Sequence, residues 1–299
     1  MTLKRDVLLG LAIALVSVGC LGRPVQPTPV PPRQPTPTPP TIGRTASGLP
    51  TIEITALDAG YQAPEEMPAG WVQATLVNRS SAQRNVQFFR INPGISLDEL
   101  AGALTSGEYP VPRLVQFGGG LGTVPPGGRQ QTVMELTEGL YVMASLIHDW
   151  YLVPRVPPGV YKQFRVVPAP PVPASALPQR DDGELAMLDY AYTLPNMTSG
   201  EHTYKLVNKG ADPHEILIRQ INPDKTLADV TAYVIDPGGL PPPYDEFGSG
   251  GALVFAAGTT AWMTLDLTPG NYVGICFVVE PKSQKTHTQL GMVIQFEVR

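Results

Sequence analysis

Three observations predict an all-β chain of two tandem Greek-key β-sandwich domains, each with one short excursion helix. Turn-forming residues are abundant, the apolar pattern alternates as strands do, and most of the sequence occurs twice. With 34 Pro and 30 Gly in 299 residues, the chain is broken too often for long periodic helices and suits many short strands joined by turns. The net charge of -5 and pI near 5.4 leave no basic surface for a phosphate backbone, which excludes nucleic acid as a partner.

The repeat sets the domain boundaries. Ala74-Thr75-Leu76-Val77-Asn78 aligns with Tyr204-Lys205-Leu206-Val207-Asn208, and Ile91-Asn92-Pro93 with Ile221-Asn222-Pro223, both at a shift of 130. Leu136-Thr137-Glu138-Gly139-Leu140-Tyr141-Val142 meets Leu267-Thr268-Pro269-Gly270-Asn271-Tyr272-Val273 at 131, and Gly159-Val160 meets Gly291-Met292 at 132. So small a drift over a whole domain means one fold used twice. The copies span 50–168 and 179–299, joined by a Pro-rich linker over 169–178.

Within each copy the local signals agree. Ala261, Met263, Leu265 and Leu267 alternate with Trp262, Thr264 and Asp266, the two-residue period of a half-buried strand. Ser96 to Leu104 places Leu97, Leu100, Ala101 and Leu104 on one helical face behind a Ser96/Glu99 capping pair. Thr226 to Val234 repeats it with Leu227, Val230 and Val234. Strands interrupted by one helix, without βαβ alternation, point to a Greek-key sandwich. Gly118-Gly119-Gly120 and Gly248-Ser249-Gly250-Gly251 read as flexible turns.

The amino terminus reads as a targeting segment. Lys4-Arg5, an apolar run from Val7 to Val16, and Ser17-Val18-Gly19-Cys20 form a signal peptide over 1–20. Small residues before a Cys resemble a bacterial lipobox, with Ser17 in place of the usual Leu; the resemblance implies a lipidated Cys20 as the mature amino terminus, and cleavage elsewhere is the alternative. Residues 21–49, rich in Pro and Thr, are expected to be a disordered, extended tether. The implied location is extracytoplasmic, anchored by lipid to the cell membrane or outer membrane. A lipidated Cys20 leaves Cys276 unpaired in an oxidising compartment.

The last strand pair carries the chemistry. Gly270-Asn271-Tyr272-Val273-Gly274-Ile275-Cys276 is followed by a loop through His287 and by Gly291-Met292-Val293-Ile294-Gln295-Phe296-Glu297-Val298, while His214 lies upstream after Asp212-Pro213. Two imidazoles, a thiolate and a weak axial thioether are the ligand chemistry of an electron-transfer copper site. In this order they resemble the cupredoxins, the family of plastocyanin and azurin. The resemblance implies one type 1 copper held by His214, Cys276 and His287, with Met292 axial. It further implies single-electron transfer to a redox protein of the cell envelope, and no enzymatic reaction. Four residues separate His287 from Met292, the family's usual gap; ten separate Cys276 from His287, longer than in plastocyanin. Glu215 stands where plastocyanins carry Asn.

Each ligand has a plainer reading. Met292 shares parity with Ile294, Phe296 and Val298 and so also reads as core; the histidines also read as surface residues and Cys276 as a small buried hydrophobe. Against this stand scarcity, with only four His in the chain, and the internal comparison. His214, Cys276, His287 and Met292 align with Arg84, Ser145, Arg155 and Val160, so the first copy lacks the set and substitutes guanidinium groups that bind no copper. His148 and His202 have no partner nearby in sequence and read as surface residues. A metal-free module binding an envelope protein or polymer is the alternative. A multicopper enzyme is disfavoured, because His-x-His pairs are missing and Ile275 precedes Cys276.

Overall fold

The alternating patterns become 18 strands in a computed structural model that describes residues 40–106, 111–146, 161–236, 238–245 and 248–299. The signal peptide with Cys20, the tether up to residue 39, and His148, Arg155 and Val160 lie outside the described residues. The first half contributes β1 (Ile42–Arg44), β2 (Pro50–Leu57), β3 (Gly60–Gln62), β4 (Glu66–Pro68), β5 (Gly70–Asn78), β6 (Arg84–Ile91), α1 (Leu97–Ser106), α2 (Val111–Leu114), β7 (Val115–Val124), β8 (Arg129–Leu136), β9 (Gly139–Ala144) and β10 (Tyr161–Val167). The second contributes β11 (Glu184–Leu188), β12 (Ala191–Thr193), β13 (Gly200–Asn208), β14 (His214–Gln220), α3 (Leu227–Ile235), β15 (Gly251–Phe255), β16 (Thr260–Leu267), β17 (Gly270–Ile275) and β18 (Val293–Val298).

The all-β expectation holds, and the halves are joined more closely than two tandem sandwiches would be. One sheet runs β1-β2-β5-β8-β16-β13-β11-β12 with β3 on β2; the other runs β18-β17-β14-β15-β7-β6-β9-β10-β4. Both cross the repeat boundary, at β8–β16, where Val133 faces Trp262, and at β7–β15, where Gly118 faces Phe255. An edge strand of one copy satisfies the unpaired backbone groups of the other, which removes two exposed edges per sheet junction. The apolar core between the sheets is shared accordingly: Ile54, Leu76 and Phe88 from the first copy belong to one cluster with Leu206, Met263 and Cys276 from the second.

Glycine explains how the junction closes, and corrects the reading of the Gly runs as flexible turns. Gly118, Gly119 and Gly120 lie inside β7. Across the junction a Cβ on Gly119 would stand 2.1 Å from the Phe255 ring and one on Gly122 2.5 Å from the Gly250 carbonyl carbon, and within the first copy one on Gly120 would stand 2.2 Å from the Val86 carbonyl oxygen. These residues allow backbones to approach where any side chain would collide. Gln87, fully buried, adds a second tie: its Nε2 donates to the carbonyls of Gly119 (3.0 Å) and Val254 (3.1 Å), and its Oε1 accepts the Val254 N–H (2.7 Å).

Two further boundaries shift. Residues 42–44 of the expected tether pair with β2, Ile42 opposite Ile52, and Leu49 is buried. The expected linker is likewise packed. It forms a 3-10 turn at Ala174–Ala176, and Ala176 shares an apolar cluster with Leu49 and Val133, flanked by Trp71, Val172, Leu177 and Trp262. Trp71 and Trp262 meet edge to face, with centroids 5.4 Å apart, across the repeat boundary. Apolar residues in a Pro-rich stretch are sufficient to dock it when two indole rings lie exposed beneath.

Several local features follow the sequence, and some recur in both copies. In β16 the predicted face of Ala261, Met263, Leu265 and Leu267 is buried. Tyr141 donates to the Thr137 carbonyl and Tyr272 to the Thr268 carbonyl, each at 2.9 Å. The Ser96 hydroxyl caps α1 by accepting the Glu99 N–H at 3.1 Å, and Thr226 and Asp229 form a reciprocal capping box on α3. In α3 the fully buried positions are Val230 and Tyr233, with Leu227 and Val234 only partly covered. Tyr233 was absent from the predicted face; its ring packs perpendicular to Tyr244 at 5.9 Å. The first copy also carries the extra one-turn helix α2.

Candidate metal centre

Strand pairing delivers the first two donors to one place. β14 runs antiparallel to β17 with Leu217 opposite Ile275, so His214 at the start of β14 and Cys276 just past β17 emerge at the same end of the sheet. The intervening loop then returns His287. Val279 bridges Thr286, and the Glu280 carboxylate accepts the N–H groups of Lys282 (2.8 Å) and Ser283 (2.6 Å), so residues 277–286 close on themselves as a hairpin. Their length is therefore no obstacle. At its base the His287 N–H donates to the Val278 carbonyl (2.7 Å), and the Thr288 N–H donates to the Cys276 carbonyl (3.0 Å). The Thr288 hydroxyl donates to that carbonyl (2.7 Å) while accepting the Cys276 N–H (3.2 Å).

A 3-10 turn, Thr288–Leu290, follows His287 and ends at Gly291, whose φ of 108° belongs to the left-handed region that favours glycine. The Met292 N–H then donates to the His287 carbonyl at 2.8 Å, and the fully buried Met292 side chain joins the main core.

The imidazoles of His214 and His287 and the thiol of Cys276 offer ligand atoms that all lie within 4.8 Å of one another. Nδ1 of His214 is 3.0 Å from Nδ1 of His287, and Cys276 Sγ is 3.5 Å from the latter. All three side chains are buried, none more than 1 % exposed. His202 stands apart. It is not partnerless, since Nδ1 lies 3.2 Å from Asp182 and Nε2 lies 2.9 Å from the Thr198 hydroxyl.

Burial sets the charge state. Desolvation pushes His287 down to about 4, helped by the neighbouring His214. Desolvation also lowers His214, against the attraction of Asp189 and Asp212. Both rings are therefore neutral near pH 7 and each keeps one bare nitrogen. Burial, reinforced by the charge of Glu215, pushes the Cys276 thiol well up, so without a cation it stays protonated. A soft cation bound by the thiolate would displace that proton.

Three residues around the donors were missed in the sequence. Asp189 Oδ1 lies 3.0 Å from His214 Nε2. Tyr190 presents its ring edge to His287 with centroids 5.1 Å apart, from a left-handed backbone (φ 62°) unusual for a bulky residue. The Tyr192 hydroxyl donates to the Glu215 carbonyl at 2.6 Å. The repeat held the signal: Leu57-Asp58 and Tyr61 recur as Leu188-Asp189 and Tyr192 at a shift of 131.

Glu215, the unfamiliar neighbour of the first ligand, has a defined job. Its Oε1 accepts the Phe277 N–H at 2.9 Å, which ties β14 to the segment after Cys276 beyond the end of the ladder. Desolvation raises its carboxyl to about 7, opposed by that N–H and by Arg219. Oε2 is buried without a hydrogen-bond partner, which adds to the cost of ionising this acid.

Among the described residues the first copy shows the same frame without donors. Asn85 takes the place of Glu215 and ties itself to Leu146, giving Nδ2–H to its carbonyl and accepting its N–H, both at 2.8 Å. Tyr61 donates to the Asn85 carbonyl as Tyr192 does to Glu215. Arg84 and Ser145, both buried, occupy the positions of His214 and Cys276.

The chemistry of the donor set suits a soft cation such as copper. Bonds of roughly 2.0–2.3 Å to nitrogen and sulfur, as for zinc, place neighbouring donors roughly 3–4 Å apart; the observed 3.0 and 3.5 Å agree, and the widest separation, up to 4.8 Å, would have to close on binding. Two imidazoles and a thiolate match the softness copper selects.

No family model matches the chain, and no curated protein matches it. Solved structures do. A multicopper oxidase is 14% identical with a TM-score of 0.27, covering 88% of this chain and 94% of that one. Dithionite-reduced auracyanin from Roseiflexus castenholzii is 24% identical with a TM-score of 0.28, over 39% of this chain and 95% of its own. Auracyanin A from Chloroflexus aurantiacus, a "blue" copper protein, is 17% identical with a TM-score of 0.27, over 40% and 98%.

Proposed function

We propose that this chain is a cupredoxin-type electron carrier, holding one copper ion in its second half and anchored to the envelope membrane through a lipidated Cys20. The buried group of His214, Cys276 and His287 carries this reading. Copper bound there would supply reversible one-electron redox chemistry.

The chain's own residues account for the rest. His214 and His287 hold neutral rings, and Cys276 yields its proton when the cation arrives. Met292, whose N–H donates to the His287 carbonyl, would offer its thioether as the fourth donor. The Thr288 and Glu215 bonds brace the backbone on both sides of Cys276, which limits its movement between charge states. Burial of all three donors keeps them from bulk solvent, which supports an electron carrier over substrate chemistry. The proposed partner is a redox protein of the envelope, and the proposed link to the membrane is the lipid.

Copper addition to the purified protein tests the reading. One equivalent should bind, with intense visible absorption near roughly 600 nm from the Cys thiolate. Cys276→Ser should abolish the colour, and Met292→Leu should keep it while raising the reduction potential. Colourless protein without bound copper at neutral pH, with an unchanged melting curve, refutes the proposal in favour of a metal-free binding module.

A further inference from the structure

We propose that Asp189 is a positioning residue that holds His214 in its Nε2–H form, frees Nδ1 for the metal, and lowers the reduction potential of the site. The potential part of this inference rests on the copper reading above; the tautomer part stands without it.

Hydrogen-bond accounting supports the assignment. Asp189 Oδ1 accepts the Ala211 N–H (2.9 Å) and the Asp212 N–H (3.3 Å), and Oδ2 also accepts from Ala211 (3.1 Å). A carboxylate engaged as acceptor by backbone N–H groups has only acceptor capacity to offer His214 Nε2 at 3.0 Å. Nε2 must then carry the hydrogen, and in a neutral ring Nδ1 is bare. That bare nitrogen is the one facing His287 Nδ1 at 3.0 Å. Two facing Nδ1 atoms this close require one lone pair, or a cation between two.

The carboxylate also contributes charge. Facing a ligand ring, a full negative charge makes the imidazole a stronger donor and favours a divalent over a monovalent ion behind it. The turn geometry alone does not demand this arrangement for metal binding. Asp58, its counterpart in the first copy, accepts the Ser81 N–H and hydroxyl, both at 2.8 Å, in a half where Arg84 replaces His214. Stapling the turn is thus common to both copies, and only in the second does the carboxylate meet a ligand. Asp58 therefore serves as the control for a merely structural role.

Asp189→Asn keeps an acceptor oxygen and removes the charge; Asp189→Ala removes both; Asp58→Asn changes a staple only. In the full-length copper-free protein, multiple-bond proton–nitrogen NMR correlations should report His214 as Nε2–H in the wild type, with Nδ1–H appearing in Asp189→Ala. In the copper-loaded protein, Asp189→Asn should stay coloured while Cu(II) affinity falls at least about tenfold. If Cu(I) affinity holds, each tenfold raises the potential by about 59 mV. Asp58→Asn should leave the potential unchanged. A wild-type His214 protonated on Nδ1, or a potential in Asp189→Asn equal to that of Asp58→Asn, overturns the inference. Failure of the wild type to take up copper would sink the electron-carrier reading instead, while the NMR result still judges Asp189.

Discussion

Replacing Glu215 by Gln in the copper-free protein separates two opposing pH effects inside the candidate site. The side chains are nearly the same shape, and Gln Oε1 can still accept the Phe277 N–H that Glu215 accepts at 2.9 Å. Glu215 is raised from 4.5 to about 7, mainly by desolvation. Between those values the folded protein keeps a proton that the unfolded chain releases, so this stabilisation is complete below about pH 4.5 and is lost as the pH rises to about 7. His287 acts the other way. Lowered from 6.5 to about 4, it contributes stability above about pH 6.5 that is lost as the pH falls to about 4, because the unfolded chain takes the proton first. Each difference corresponds to about 3 kcal/mol at most, and across the middle of the range they largely offset each other in the wild type.

Glu215→Gln removes the first effect and leaves the second. The cost of the extra buried amide hydrogens is the same at every pH, so it cancels from a comparison across pH. Relative to wild type, the variant should therefore gain about 3 kcal/mol between pH 4 and pH 8, with most of the gain between pH 5 and 7. Urea unfolding of both proteins at five pH values in chelator gives the two curves. Parallel curves would show that Glu215 ionises normally in the fold and would refute the reasoning.

Other consequences are equally direct. Gln87→Leu strips the Val254 N–H and carbonyl of their side-chain partner at a buried junction, so unfolding free energy should drop by about 1–3 kcal/mol, read by urea titration. Gly120→Ala forces a Cβ to within 2.2 Å of the Val86 oxygen on the neighbouring strand; a loss of about 1–3 kcal/mol by overpacking is expected, and a stability equal to wild type would mean that β6 and β7 do not approach so closely there. Cys20→Ser should release or misprocess the protein, with mass spectrometry of the wild type finding a diacylated Cys20 as its first residue; an unmodified amino terminus elsewhere excludes the anchor.

The sequence by itself determined the features carried by rare residues and by repetition. An all-β class, the duplication, the alternating face of β16, the helix caps at Ser96 and Thr226, and the order His214, Cys276, His287, Met292 were all legible, because each depends on local chemistry or on one copy compared with the other. The tertiary structure decided what depends on strand pairing across long separations. The union of both copies into shared sheets rests on β8 meeting β16 and β7 meeting β15, and a Gly run reads the same whether it is a turn or a place where two backbones touch. Leu49 and Ala176 looked like tether and linker until Trp71 and Trp262 supplied a surface to dock on. Asp189 lies 25 residues from His214, on a turn whose sequence names no partner; only the fold brings a carboxylate to the imidazole, because hydrogen bonds between side chains are set by where strands end rather than by the residues next to them.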